Sequence, residues 1–384
     1  MRKVDPVVDE AIETLNMKDG PTRRRLLGGA GLFSATAAAS ALISACSSST
    51  TGNAATKGAI GNFPSGTPKW QFWFVNHATT NAFFVPTQYG MADAASLLGL
   101  QTPKWGGSNN SVISDMTSYF QTAVAAKADG IALAAISDTA FTTPVKNAMD
   151  SGIPVVTYNA DGVYKNGKPS IGTNRLCYVG QSLFVSGQAM GQQIKALVPG
   201  GDIAIFIATP GTGNIQPRYD GAVSVLGSGY TVHEVATGAQ QSAEPPAEKA
   251  YLLAHKNIKG AFAVDAGSTE ILGSILKQVG MNVPSGGFDT LGTTVQNIQS
   301  GSMNFSIYQD PYLQGFLPVL YMYLFKVSGG ALYPPDTDTG LSVVTKANAG
   351  SYATASRYQG SSTSPKYIPL PSGAINAPMA TTST

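Results

Sequence analysis

At 384 residues the chain is longer than one small domain and suits two of medium size. Hydrophobic residues make up 43%, charged residues 12%, and the net charge is +2, a globular composition without the basic surface that nucleic-acid binding demands. The two cysteines, Cys46 and Cys177, and the scattered His77, His233 and His255 have no metal-ligand spacing, which argues against a zinc enzyme; no cofactor motif is visible and none is expected.

The N-terminal segment reads as an address label. In TRRRLLGGAGLFSATAAASALISAC (22–46), Arg23 and Arg24 precede a charge-free Ala/Gly-rich run from Gly28 to Ala45, as in twin-arginine export signals. The ending ISAC, Ile43 to Cys46, matches the bacterial lipobox. Small Ser44 and Ala45 suit a signal peptidase cleft, and the Cys46 thiol accepts a diacylglycerol. The run alone approaches the length of a membrane-spanning helix. The order of twin arginines, apolar run and lipobox instead predicts cleavage, so residues 1–45 are expected to drop out of the fold. Residues 47–68, rich in Ser, Thr and Gly, read as a flexible tether with a root-mean-square span of roughly 25 Å.

From Trp70 onward, apolar runs alternate with segments of helical period. Strands are predicted at 70–75, 130–136, 154–159 and 176–180, then at 202–208, 230–236, 260–265, 286–289 and 304–308. Between them, residues such as Val112, Ile113, Met116, Phe120 and Val124 follow helical spacing. Near-continuous apolar strands alternating with helices indicate parallel sheets covered on both faces, and two such series predict two α/β domains. Cys177, inside the apolar run LCYVG, reads as a buried strand residue.

Open parallel sheets bind ligands beyond the carboxyl ends of their strands, and there the polar residues cluster. His77 and TTNAFF follow the first strand, Asn159 and Asp161 the third, and GTGNIQPR the strand at 202–208. Asp265, Asp289 and Gln309 follow later strands. No Ser–His–Asp order stands out, and PGTG lacks the Lys of a phosphate loop. Amides, carboxylates and an Arg bridge neighbouring hydroxyls, while aromatic faces pack on the C–H face of a sugar ring, so a neutral polyhydroxylated ligand is expected.

With NHATTNAFFVPTQYG, KADGIALAAISDTAF, GIPVVTYNAD, CYVGQSLFVSGQAMG, GGFDT and IYQDPYLQG in this order, the chain resembles the periplasmic sugar-binding proteins of ABC importers. These are the ribose/galactose-binding type of the type I periplasmic binding protein family, and the resemblance spans roughly Trp70 to residue 350. It implies two doubly wound parallel-sheet α/β lobes joined by a three-segment hinge, a Venus-flytrap fold. The implied boundaries are 69–180 plus 310–340 for the N-terminal lobe and 181–309 plus 341–370 for the C-terminal lobe. Lipidated Cys46 and the tether (46–68) precede them and a tail (371–384) follows. The implied ligand contacts are His77, Asn81, Phe83, Phe84, Asn159, Asp161, Gln216, Arg218, Asp265, Asp289 and Gln309. Ala82 departs from the family's usual Pro, Ala160 from its frequent Arg, for which Asp161 is a candidate replacement, and Gln216 from a contacting Arg.

Other readings stay open for several of these residues. Asp289 can cap a helix starting near Leu291, Arg218 can be a structural ion-pair partner, and one of the two phenylalanines can be core. His77, without an acid/base partner, reads as a wall residue, and Trp105 as core. The expected function is a lipid-anchored, monomeric, extracytoplasmic receptor delivering a sugar or polyol to an ABC permease, not an enzyme. Alternatives are a sensory receptor of the same fold and a carbohydrate hydrolase using Asp265 and Asp289.

Overall fold

The computed structural model describes residues 64, 66–137, 139–162, 164–165, 168–169, 172–353 and 356–362. The predicted signal segment, Cys46, most of the tether and the tail from 371 lie outside them.

The first lobe alternates strands and helices: β1 (Phe72–Asn76), α1 (Val85–Leu98), β2 (Lys104–Gly107), α2 (Ile113–Ala125), β3 (Gly130–Ala135), α3 (Thr142–Asp150) and β4 (Val155–Asp161). A short hairpin, β5 (Tyr164–Lys165) with β6 (Lys168–Pro169), precedes β7 (Tyr178–Gly180). The second lobe repeats the scheme with α4 (Leu183–Leu197), β8 (Gly201–Ile207), α5 (Gln216–Leu226), β9 (Tyr230–Ala236), α6 (Glu244–Ala254) and β10 (Gly260–Ala263). It continues through α7 (Ala266–Gln278), β11 (Ser285–Phe288), α8 (Gly292–Ser300) and β12 (Phe305–Tyr308). The chain then returns to the first lobe for α9 (Leu313–Val327) and β13 (Thr337–Asp338). It crosses again to β14 (Ser342–Thr345) and α10 (Gly350–Ala353).

Each lobe carries a six-stranded sheet, ordered β2-β1-β3-β4-β7-β13 and β9-β8-β10-β11-β12-β14. Within these two sheets, among the described residues, only β14 runs antiparallel, against β12. The two orders match, which is the doubly wound arrangement predicted above. Alternation explains why the inner strands are apolar throughout. Phe72 and Phe74 point to one face of the first sheet, with Val156, Tyr158, Val319 and Met322. Trp73 and Val75 point to the other, with Met116, Phe120, Phe141 and Val145.

Strand β2 escapes sequence reading because KWGG is an edge strand with one Lys and two Gly, and its residues are only partly buried. Trp105 within it packs on Phe74 and Phe84 and donates from Nε1 to the Thr79 carbonyl. Strands β13 and β14 are likewise too short to register as apolar runs.

One close helix contact in the second lobe bears on the site. Helices α4 and α5 touch backbone to backbone at Gly187 and Gly221, where a Cβ would overlap the Arg218 and Phe184 carbonyls. That contact seats the first turn of α5, and with it Arg218.

The chain passes between lobes at Gly180–Ser182, Tyr308–Pro311 and Asp338–Leu341, giving the three-segment hinge. The segment after residue 341 begins in the second lobe. Strand β14 stays there, but Arg357 reaches α1 of the first lobe. It donates to both Asp93 carboxylate oxygens at 2.6 and 2.7 Å and lies 4.2 Å over the Tyr89 ring. The planar guanidinium matches a carboxylate in two-point geometry, and that pairing draws the segment back across. The lobes also meet at the cleft lip, where the Gly213 N–H donates to the Ile136 carbonyl at 2.8 Å.

Candidate functional site

The β1 exit is organised by Asn76. Its Oδ1 accepts from the Ala78 N–H and its Nδ2 donates to the Tyr158 hydroxyl at 2.8 Å, tying the turn to β4. Asn81 then caps the short 3-10 turn Ala82–Phe84 by accepting from the Phe83 N–H. Phe83 and Phe84 follow as an edge-to-face pair with centroids 4.7 Å apart, and His77 sits 5.3 Å from Phe84.

These residues form one wall of a cavity of about 60 Å³ between the lobes. The structure brings together there His77, Asn81, Phe83, Phe84, Asn159, Arg218, Asp265, Asp289 and Gln309, with Asn214, Ile215 and Ala266 added. Burial pushes the His77 imidazole down to about 4. The ring is therefore neutral at ordinary pH, with one nitrogen 3.3 Å from Asn159 Oδ1 and Nδ1 without a protein partner.

Two predicted residues stand elsewhere. Asp161 accepts two bonds from Arg175, at 2.8 and 2.6 Å, and a third from Thr157. It is consumed by a structural ion pair and does not replace the family's Arg. Gln216 accepts from the Gly211 N–H and donates to Asp220, away from the cavity. The reason is helical phase. Within α5, Gln216 is turned by about 200° from Arg218 at 100° per residue, while Asn214 lies just before the Ile215 N-cap. Asn214, with a buried Oδ1 lacking a protein partner, lies in the GTGNIQPR stretch at the strand exit, where position after the strand is its one sequence signal and no helical spacing marks it.

Arg218 is 3% exposed. It donates to the Val264 carbonyl at 3.1 Å and to Gln181 Oε1 at 3.3 Å, its guanidinium lies 4.2 Å over the Phe288 ring, and Nε has no protein partner. Among the described residues no carboxylate is within ion-pair distance of it. Burial lowers its basicity, and Asp289 and Asp265 partly restore it. The structural ion-pair reading is thus not what the side chain does.

The two acids differ. Asp265 caps α7, accepting from the Ser268 N–H and hydroxyl and from the Ala208 N–H. Asp289 does not cap α8, whose N-cap Leu291 has no side-chain bond. It sits in the left-handed region at φ 72° and accepts from Gln309 Nε2 at 2.8 Å. Burial raises both acids, Asp289 to about 6, against the opposing pull of Arg218 on each.

The hinge is wired to the cavity through glutamines. Gln181, which receives Arg218, donates to the Tyr308 and Gly340 carbonyls. Gln314 accepts from Asn159 and donates to Gln309 and Thr339, so all three crossings are bonded to cavity residues or their direct partners.

The family model described as "Periplasmic binding protein domain" matches residues 72–326. The chain belongs to the periplasmic binding protein family. A curated relative, the xylose/arabinose-binding protein XylF of Sulfolobus acidocaldarius, is 46% identical over 314 residues, 78% of this chain and 77% of the relative. Among solved structures, an ABC transporter solute-binding protein from Burkholderia graminis in complex with D-arabinose is 26% identical. It covers 74% of this chain and 98% of its own, with a TM-score of 0.66. A carbohydrate transporter from Acidothermus cellulolyticus in complex with myo-inositol shares the fold at 24% identity and TM-score 0.66, over 76% and 99% of the two chains. The resemblance to sugar-binding proteins of ABC importers, expected from the sequence, is borne out, as are the two parallel-sheet lobes. No described helix of this periplasmic binding protein is long and apolar enough to cross a membrane.

Proposed function

We propose that the chain captures a neutral aldopentose, or a polyol of similar size, between its lobes and hands it to an ABC permease. The observation that carries this is Arg218: a buried guanidinium with no carboxylate partner and spare donors, facing a cavity walled by Phe83 and Phe84. Isolated buried charge is costly unless hydrogen-bonded. A ring with adjacent hydroxyls supplies the missing acceptors, and also meets Asp265, Asp289, Asn214 and the open His77 Nδ1. The pentose class is supported by the relative named for xylose and arabinose and by the related protein bound to D-arabinose. Asp265 is held by three donors and Asp289 by Gln309, which suits fixed acceptors and not a proton-shuttling pair; the protein is a binder, not an enzyme.

Cys46 is the proposed lipid attachment, with residues 1–45 removed and 46–68 as the tether, and the receptor acts as an extracytoplasmic monomer. Calorimetric titration with D-xylose, L-arabinose, D-arabinose and myo-inositol tests the ligand reading. Binding of at least one with a rise in apparent stability is expected, and no response to any neutral hydroxylated ring would sink it. Mass spectrometry of the membrane-extracted protein, showing or lacking a diacylglycerol on an N-terminal Cys46, tests the anchor.

A further inference from the structure

A second cavity of about 250 Å³ adjoins the first and shares two of its walls, Phe83 and Asp289. Its other sides come from the α1 entrance at Pro86, from Tyr308 at the hinge, from Glu270 on α7 and from Tyr358 of the returning C-terminal segment. Its volume is about four times that of the cavity at Arg218. Aromatic faces (Phe83, Tyr308, Tyr358) stand beside two carboxylates (Asp289, Glu270) in the same mixture that lines the smaller cavity.

We propose that this cavity is a second glycosyl subsite, so that the protein accepts a pentose disaccharide whose first ring occupies the cavity at Arg218 and whose second ring lies between Phe83 and Tyr358. The proposal rests on the sugar reading above. The returning segment takes part because the two-point Arg357–Asp93 pair holds Tyr358 in place, with its ring edge-on to Tyr312 at 4.9 Å. Fixed acceptors at Asp289 serve both rings: Gln309 occupies Oδ1, and the side chain borders both spaces.

The test titrates the protein with D-xylose and with β-1,4-xylobiose, in wild type and in two variants. Gly292 lines the larger cavity and not the smaller, and a Cβ there meets no atom within 4 Å, so a side chain at this position starts in open space and Gly292→Phe probes the larger cavity. Xylobiose is expected to bind wild type at least as tightly as xylose. Gly292→Phe is expected to lose xylobiose affinity tenfold or more while xylose affinity stays within twofold. Tyr358→Ala, on a side chain 38% exposed, should weaken xylobiose about fivefold and leave xylose unchanged, and it serves if the Phe variant does not fold. Xylose binding without xylobiose binding overturns the second subsite and leaves the pentose reading standing. Equal xylobiose affinity in wild type and variants also overturns it. Binding of neither sugar overturns this proposal, and the pentose reading falls with it only if L-arabinose, D-arabinose and myo-inositol also fail to bind.

Discussion

Replacing Arg218 with Met should separate binding from stability. In the sugar-free protein the guanidinium gains two hydrogen bonds to neutral acceptors, at 3.1 and 3.3 Å, and a contact with the Phe288 ring. Because the donor is charged, these are worth about 1.5–3 kcal/mol per bond, with about 1–2 kcal/mol for a desolvated cation–π contact. Against them stands a desolvation penalty of several kcal/mol for a charge that is 3% exposed and unpaired. Met fills a similar length without that penalty, though it leaves the Val264 carbonyl short of a donor, at about 1–3 kcal/mol. The terms nearly cancel, so the melting temperature of sugar-free Arg218→Met should stay within about 4 °C of wild type, at roughly 2 °C per kcal/mol for a chain of this size.

Binding should behave differently. Two charge-assisted bonds to ring hydroxyls, at about 1.5–3 kcal/mol each, predict a loss of about 3–6 kcal/mol, or at least a hundredfold in Kd. Differential scanning fluorimetry without sugar and titration calorimetry with D-xylose read the two quantities on one preparation. A melting temperature lowered by 10 °C with affinity held within tenfold would refute the reasoning and return Arg218 to a structural role.

Glu244 and Glu248 on α6 are buried, with carboxylate oxygens that lack a protein partner; burial raises Glu244 to about 9 and Glu248 well above its ordinary value. A folded-state pKa above the unfolded one gives stability that is full below about 4.5 and fades as pH rises toward 9, at up to about 1.4 kcal/mol per pH unit per group. Melting temperature should therefore fall from pH 5 to 9, and Glu248→Gln should flatten that slope; an unchanged slope contradicts the assignment. Gly213→Pro removes the N–H that bonds Ile136 across the lip, and a loss of about 0.5–1.5 kcal/mol predicts a two- to twelvefold weaker Kd by calorimetry. Unaltered affinity would mean that the lip contact does not contribute to closure. Arg357→Ala breaks a partly buried two-point pair and should lower the melting temperature by about 2–6 °C, with a coupling to Asp93→Asn in a double-mutant cycle that a merely additive pair would lack.

The class of the molecule follows from local patterning. Apolar runs such as GIALAA and FWFV can be satisfied only where both faces of a strand are covered, and that requirement forces parallel sheets with helices on each side. Strand exits are readable for the same reason: a polar residue directly after such a run must leave the core, and His77, Asn159, Asp265, Asp289 and Gln309 all do so beside one cavity. Tertiary structure alone decided which polar side chains remain available there. Asp161 follows the same strand as Asn159, yet Arg175, fourteen residues on, claims its carboxylate. Asp265 and Asp289 look alike in sequence, and only the placement of Ser268 and Gln309 makes one a helix cap and the other a fixed acceptor. Gln216 and Arg218 are separated by a helical phase that depends on where α5 begins. The return of Arg357 to Asp93 pairs residues 264 positions apart, a contact that no local pattern encodes because only the tertiary fold brings the two segments together.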